Sequence, residues 1–192
     1  MPDPRRDARR DVRRANRGPS AAAENRAALI AAAREVFASD GYEAPLTSIT
    51  RAARVGQGSL YRHFPDRVSL ALAVFEDGVK ELESLAAEPG TTLDDMLALM
   101  TEQMIASTAF VDMVSAFPAD PRILRVGDRV TELLDGLLAQ ARQAGRIRAD
   151  VTAGDLMLAI GMVAGILAKK PAAARRETAG LAWRLLRAGI GA

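Results

Sequence analysis

The sequence predicts an all-α protein of about nine helices, three forming a small N-terminal unit and the rest a longer helical region. Three observations carry that reading. Apolar residues recur at three- and four-residue intervals through most of the chain, the period of a helix face. Cap and stop residues punctuate these runs at helix-like lengths. No stretch alternates apolar and polar residues as a half-buried strand would.

The opening segment, MPDPRRDARRDVRRANRGPS, sets arginine pairs at Arg5–Arg6, Arg9–Arg10 and Arg13–Arg14, along one side of a helix were it to fold. No apolar stripe exists to hold it down. Residues 1–20 are therefore expected to be a disordered basic arm, either a solubilising tail or a contact for DNA phosphate and minor groove.

From about Ala22 the pattern turns helical, with Ile30, Ala33 and Phe37 in register and Gly41 as the stop. Pro45 at a first helical position, or Thr47 as a cap, opens a short second helix. Its apolar side is Ile49, Ala52 and Ala53. A third short helix follows Gly56 and Gly58 and carries Leu60, Tyr61 and Phe64. Pro65-Asp66 marks the next start, and Val68, Leu72, Phe75, Val79 and Leu82 line a longer amphipathic helix.

Later starts are written in caps: Thr92 before Asp94 and Asp95, Asp120 before Pro121, Thr152 with Asp155. Phe117 closes one helix at PADP, Gly145 closes another, and a last helix covers roughly Ala173 to Ala188. The longest apolar segment, Leu156 to Ala168, is too short to span a bilayer and reads as a buried helix.

Composition narrows the function. Of 192 residues 49% are hydrophobic, enough for a packed core. The chain has no cysteine, which removes disulfides, thiolate metal sites and cysteine nucleophiles and suits a reducing cytoplasm. Met1 to Arg17 is charged with no apolar stretch, so no secretory leader is expected. The net charge of +2 is uneven: residues 1–67 hold 13 Lys+Arg against 8 Asp+Glu, and residues 68–192 hold 13 against 16. A basic N-terminal third hints at a polyanionic partner.

The stretch VGQGSLYRHF, residues 55–64, gives that partner a reader. Two short helices joined by a tight turn, the second rich in polar side chains, make the plan of a helix-turn-helix. Leu60 and Phe64 stand at i and i+4 and can face the core, which turns Ser59, Arg62 and His63 outward. Gln57 and Gly58 lie where a helix N-terminus would approach a duplex. As a metal site the stretch fails, since a lone histidine without cysteine or clustered acids has too few ligands.

LTSITRAARVGQGSLYRHFPDRVSL, residues 46–70, with LIAAAREVFASDGYEA at 29–44 before it, resembles the DNA-binding signature of the TetR family of bacterial regulators. AGRIRADVTAGDL, residues 144–156, is similar to a connector common in such proteins. The resemblance implies a DNA-binding unit over residues 21–66 and a ligand-binding and dimerisation domain over 67–192. It places Gln57, Ser59, Tyr61 and His63 on the recognition helix, with Arg62 among them able to read a guanine. Tyr61 could instead pack its ring, and His63 could brace the next helix. The resemblance also assigns Thr47 and Arg67 to phosphates on either side of the groove. Two positions depart from the family pattern: a small residue is usual where Thr50 stands, and a glycine where Arg54 stands. A left-handed backbone at Arg54 would cost about 1 kcal/mol relative to glycine, offset if its side chain reaches a phosphate.

The remaining helices are expected to supply a dimer interface and a sensor. The Leu156–Ala168 helix is apolar nearly all round, and Gly161 and Gly165 permit close approach of a second subunit. Met96, Met100, Met104, Phe110, Met113 and Phe117 suit an adaptable apolar pocket, though they serve equally as core. The expected partners are a double-stranded DNA operator, a small apolar or amphipathic effector and a second copy of the chain, with no membrane. No cofactor or metal is expected. An enzyme is disfavoured: there is no nucleophile–base pair, and Asp94-Asp95 and Glu76-Asp77 read as caps and solvated faces. Gly56-Gln57-Gly58 lacks the lysine and preceding strand of a phosphate loop. The reading is thus a cytoplasmic, dimeric, ligand-released repressor, the alternatives being an activator or a ligand-blind DNA binder of the same fold.

Overall fold

The computed structural model describes residues 17–190. Among the described residues nine helices follow in chain order without a strand. They are α1 (Arg17–Asp40), α2 (Leu46–Ala53), α3 (Gln57–His63), α4 (Arg67–Ala87), α5 (Leu93–Ala106), α6 (Ala109–Ala116), α7 (Pro121–Gln143), α8 (Ala153–Ala168) and α9 (Ala172–Ile190). The basic arm expected over residues 1–20 lies, except for its last four residues, outside the described part. Helix α1 already begins at Arg17.

Local chemistry sets the helix ends. Gly41, at φ +81°, stops α1. Capping boxes start three helices: Asp66 with Ser69 on α4, Thr92 with Asp95 on α5, and Thr152 with Asp155 on α8. Asp120 caps α7 with Pro121 in its first turn, as expected. The start of α2 differs from expectation. Pro45 occupies the cap position with ψ 132°, and Thr47 lies inside the first turn with no capping bond. The proline already holds the extended cap conformation, and its carbonyl accepts from the Ser48 N–H at 2.9 Å.

Two cores result. The first gathers Leu29, Ala33 and Phe37 of α1, Ile49 of α2, Leu60 and Phe64, and the first two turns of α4. It also takes Ala109 and Met113 of α6 and Ile123 of α7. The second joins α5, α7, α8 and α9 around Leu134, Leu138, Leu156 and Leu167, with Leu82 from the far end of α4. A division after residue 66 therefore cuts through a continuous core. Helices α5 and α6 meet at 89°, so that α5 belongs to one core and α6 to the other. The break falls at Ser107, whose hydroxyl accepts from the Ala109 N–H and competes with helix continuation. Among the described residues no single helix is long and apolar enough to cross a membrane.

Candidate nucleic-acid interface

Helix α3 is seven residues long and could not persist alone. Tertiary anchors hold it instead: Leu60 is 1% exposed, Phe64 2% and Val55 8%. Gly56, extended at ψ 151°, caps it, and its carbonyl accepts from Ser59 and Leu60. With Leu60 and Phe64 turned inward, the opposite face stands free. Gln57, Gly58, Tyr61 and Arg62 are exposed, while Ser59 and His63 are half-buried. Among the described residues, the side chains of Gln57, Tyr61 and Arg62 make no hydrogen bond to protein. These are the outward positions that the i, i+4 spacing of Leu60 and Phe64 predicts. Arg26 of α1 stacks over the Phe64 ring at 5.3 Å, closing the core beside the end of α3.

The turn before α3 is made by Arg54, in the left-handed region at φ 54°, ψ 36°. It is the one non-glycine residue with positive φ among the described residues. Its N–H donates to the Arg51 carbonyl, and the Val55 N–H reaches back to Thr50 at 3.0 Å, a Schellman-like closure. Thr50, only 8% exposed, donates its hydroxyl to the Thr47 carbonyl at 3.1 Å. The buried side of α2 thus accommodates a hydroxyl where the family pattern has a small residue. Arg54 and Thr47 are both exposed.

Arg67 is placed otherwise than expected. Its Nη1 donates to the carbonyls of Tyr42 and of Ala44, the latter at 2.6 Å, and its guanidinium lies 5.5 Å from the Tyr42 ring. Through Nη1 these contacts brace α4 against the α1–α2 loop. Tyr42 itself is 1% exposed, and its buried hydroxyl has no hydrogen-bond partner among the described residues. Burial pushes that phenol's pKa up, with Arg67 opposing.

The six residues expected to line an effector pocket do not converge. Met96, Met100 and Met104 follow one face of α5 into the C-terminal core. Phe110 and Met113 turn into the N-terminal core, where Phe110 meets Phe75 edge-on at 4.9 Å. Phe117, 44% exposed, stands edge-on to Tyr42 at 6.4 Å. The 89° elbow between α5 and α6 separates the two groups. An open groove of about 450 Å³ lies on α4 and α5 and is lined by Lys80, Ser84, Leu85 and Leu99 among others, with none of the six.

Helix α8 is buried on one side only. Leu156, Ala159, Ile160, Val163 and Leu167 pack inward, whereas Leu158, Met162 and Ile166 are 64%, 50% and 43% exposed. Leu181 and Leu185 extend apolar exposure onto the adjacent α9. A side chain placed at Gly161 or Gly165 would meet nothing within 4 Å.

Comparison with known proteins agrees with this arrangement. Residues 29–74 match the N-terminal model of the bacterial regulatory proteins of the tetR family, and residues 88–190 match the SbtR-like C-terminal domain of transcriptional regulators. The chain belongs to the TetR family. It is a DNA-binding transcriptional regulator of the helix-turn-helix type and not an enzyme. A curated relative, the HTH-type transcriptional activator FasR of Mycolicibacterium smegmatis, is 35% identical over 122 residues. That match covers 62% of this chain and 53% of the relative, so the chain spans about half the relative's length. The solved TetR regulator SCO0520 of Streptomyces coelicolor is similar at TM-score 0.60 and 28% identity, covering 86% of this chain and 98% of that one. A TetR regulatory protein of Mycobacterium vanbaalenii is similar at TM-score 0.55 and 27% identity, covering 91% and 99%. Arg67 is a structural tie that its local sequence does not announce, because its carbonyl partners lie on a distant segment.

Proposed function

We propose that this TetR regulator is a cytoplasmic homodimer that represses transcription by occupying a palindromic operator and leaves it on binding a small apolar or amphipathic ligand. The observation that carries the proposal is α3: a short helix pinned by Leu60 and Phe64, with Gln57, Tyr61 and Arg62 exposed and without side-chain hydrogen bonds to protein among the described residues. Its first turn enters the major groove, and Ser59, Tyr61, Arg62 and His63 meet bases or phosphates there. Thr47 and Arg54 lie on the flanking backbone, where Arg54 offsets the cost of its left-handed turn. Arg67 acts through the loop it braces.

The exposed apolar stripe Leu158, Met162, Ile166, Leu181 and Leu185 supports a dimer in which α8 and α9 of two copies pack together. Two recognition helices then address half-sites about one helical turn apart. Half-buried Met100 and Met104 of α5, on the C-terminal core, are the side chains able to yield to a ligand, while Met96 and Met113 stay as core. Activation is the second reading, favoured by the description of FasR as an activator. Selection of binding sites from random duplex DNA tests the first claim, and inverted repeats are the expected outcome. Transcription in vitro from a promoter carrying the selected site then separates the readings, since repression requires fewer transcripts with protein than without.

A further inference from the structure

The N-terminal caps of two helices, α4 and α7, share one arginine. Asp66, at the start of α4, lies three residues beyond the end of α3. It accepts from the Ser69 N–H at 2.6 Å. Asp120 caps α7 and accepts from the Arg122 N–H at 2.8 Å. The Arg122 guanidinium spans both carboxylates. Its Nε and Nη2 hold Asp120 at 3.0 and 2.7 Å, and its Nη1 holds the two oxygens of Asp66 at 3.1 and 2.9 Å. A planar fork can satisfy two carboxylates at once, which a lysine ammonium on a flexible stem does not.

Apolar contacts flank this bridge. Ile123, next to Arg122, is 5% exposed in the N-terminal core, and Phe117 just upstream meets Tyr42. Arg67, next to Asp66, ties the loop that holds Tyr42. Between Phe117 and Ile123 the chain therefore touches the base of the DNA-binding unit through an aromatic pair, a buried aliphatic side chain and an ion bridge. The ion bridge ends on Asp66 itself, within the α3–α4 junction.

We propose that Arg122 is a positioning residue for DNA binding: by holding the cap of α4 to the cap of α7, it fixes α3 relative to the C-terminal helices. The proposal rests on the DNA-binding reading above, and its consequences extend beyond it. Rotation or translation of α7 is transmitted to α3 more tightly while the bridge is closed than while it is open.

Asp66→Asn and Arg122→Gln test this without removing a cap. Asparagine caps a helix as well as aspartate, and the Asp120 side chain still accepts from the backbone N–H of residue 122 in the glutamine variant. Titrated against a duplex selected by the wild-type protein, each variant should bind roughly fivefold more weakly, and the double variant no worse than either. Arg122→Lys should fall between. Amide hydrogen exchange without DNA supplies an arm independent of operator binding. Exchange across residues 57–64 should quicken in both variants while that of α8 is unchanged. Quickened exchange with no selectable DNA would sink the DNA-binding reading and keep the bridge. Unchanged exchange and affinity in Asp66→Asn, with loss only in Arg122→Gln, would overturn the proposal and leave Arg122 as a local brace of α7.

Discussion

Two exposed surfaces of this molecule are built on opposite principles. The α2–α3 surface is polar and is raised on the smallest of supports, a seven-residue helix held by Leu60 and Phe64 and a turn that forces Arg54 into the left-handed region. The α8–α9 surface is apolar and unstrained, carried on two long helices whose other faces fill the C-terminal core. A polar face exposed to water costs nothing and waits for a charged partner. Large apolar side chains left exposed on α8 and α9 are a standing loss that a second copy would remove. The difference teaches that the two surfaces should fail differently: one by losing discrimination, the other by losing assembly.

The largest effect is expected at the apolar face. Met162→Glu combined with Leu185→Glu places charge where two copies would meet, and both residues are at least half exposed in the single chain. The fold should survive, with a melting temperature lowered by the lost stabilisation of association. Sedimentation should show monomers, and operator affinity should drop on the order of 100-fold or more as the two half-sites lose their linkage. An unchanged sedimentation coefficient would show that the stripe does not form the interface.

At the polar face the loss should be selective. Arg62→Ala removes a guanidinium that can pair with the O6 and N7 of a guanine, worth about 1–3 kcal/mol of discrimination at one base pair in each half-site. Titration against operator, single-base variants and random duplex at several salt concentrations measures it. Equal weakening on every sequence would make Arg62 a phosphate anchor instead.

Much of this contrast was legible in the sequence, and the illegible part has a physical cause. Helix starts at Asp66, Thr92, Asp120 and Thr152 were readable because capping is local chemistry, completed within three residues. The inward pair Leu60 and Phe64 followed from helical spacing, and the left-handed turn at Arg54 from its place in the helix-turn-helix pattern. Helix α8 looked apolar all round, yet only its packing against α7 and α9 reveals which side is left bare. The methionines illustrate the limit. Met96 and Met113 are 17 residues apart in one apolar stretch, and an elbow at Ser107 sends them to different cores. Long-range ties such as Arg67 to Ala44 or Arg122 to Asp66 leave no periodic trace, because an exposed-looking arginine has the same local context whether or not a carboxylate or carbonyl from a distant segment meets it.

A smaller effect probes the strain on the polar side. Arg54→Gly relieves a left-handed backbone worth about 1 kcal/mol, while the freer unfolded chain takes back about 0.4–1 kcal/mol. A net gain of roughly 1 kcal/mol or less should raise the melting temperature by up to about 4 °C. If Arg54 holds a phosphate, the same variant should bind all DNA more weakly and lose about 1.8 from the log-affinity versus log-salt slope of a dimer, about 0.9 for each subunit. A stabler protein with an unaltered slope would mean that Arg54 is tolerated strain without a DNA contact.

The smallest effect lies at the seam between the two regions and is read in acid. Hydrogen bonds from the Arg122 side chain and backbone hold the Asp120 carboxyl down to about 2. At Asp66 burial works the other way, but the Ser69 N–H and Arg122 outweigh it and the carboxyl stays below its ordinary value. Both groups therefore bind protons more weakly folded than unfolded, so their contribution is complete above the ordinary carboxylate range near pH 4. It declines as pH falls through that range and is gone for Asp120 below about 2. Melting temperature followed from pH 6 to pH 2 should fall more steeply for the wild type than for Asp120→Asn, whose cap is neutral throughout. The two curves should converge at the acid end. Parallel curves over the whole range would show that the Asp120 carboxylate contributes nothing to the folded state beyond what an amide supplies, and that the bridge to Arg122 is sustained by geometry rather than charge.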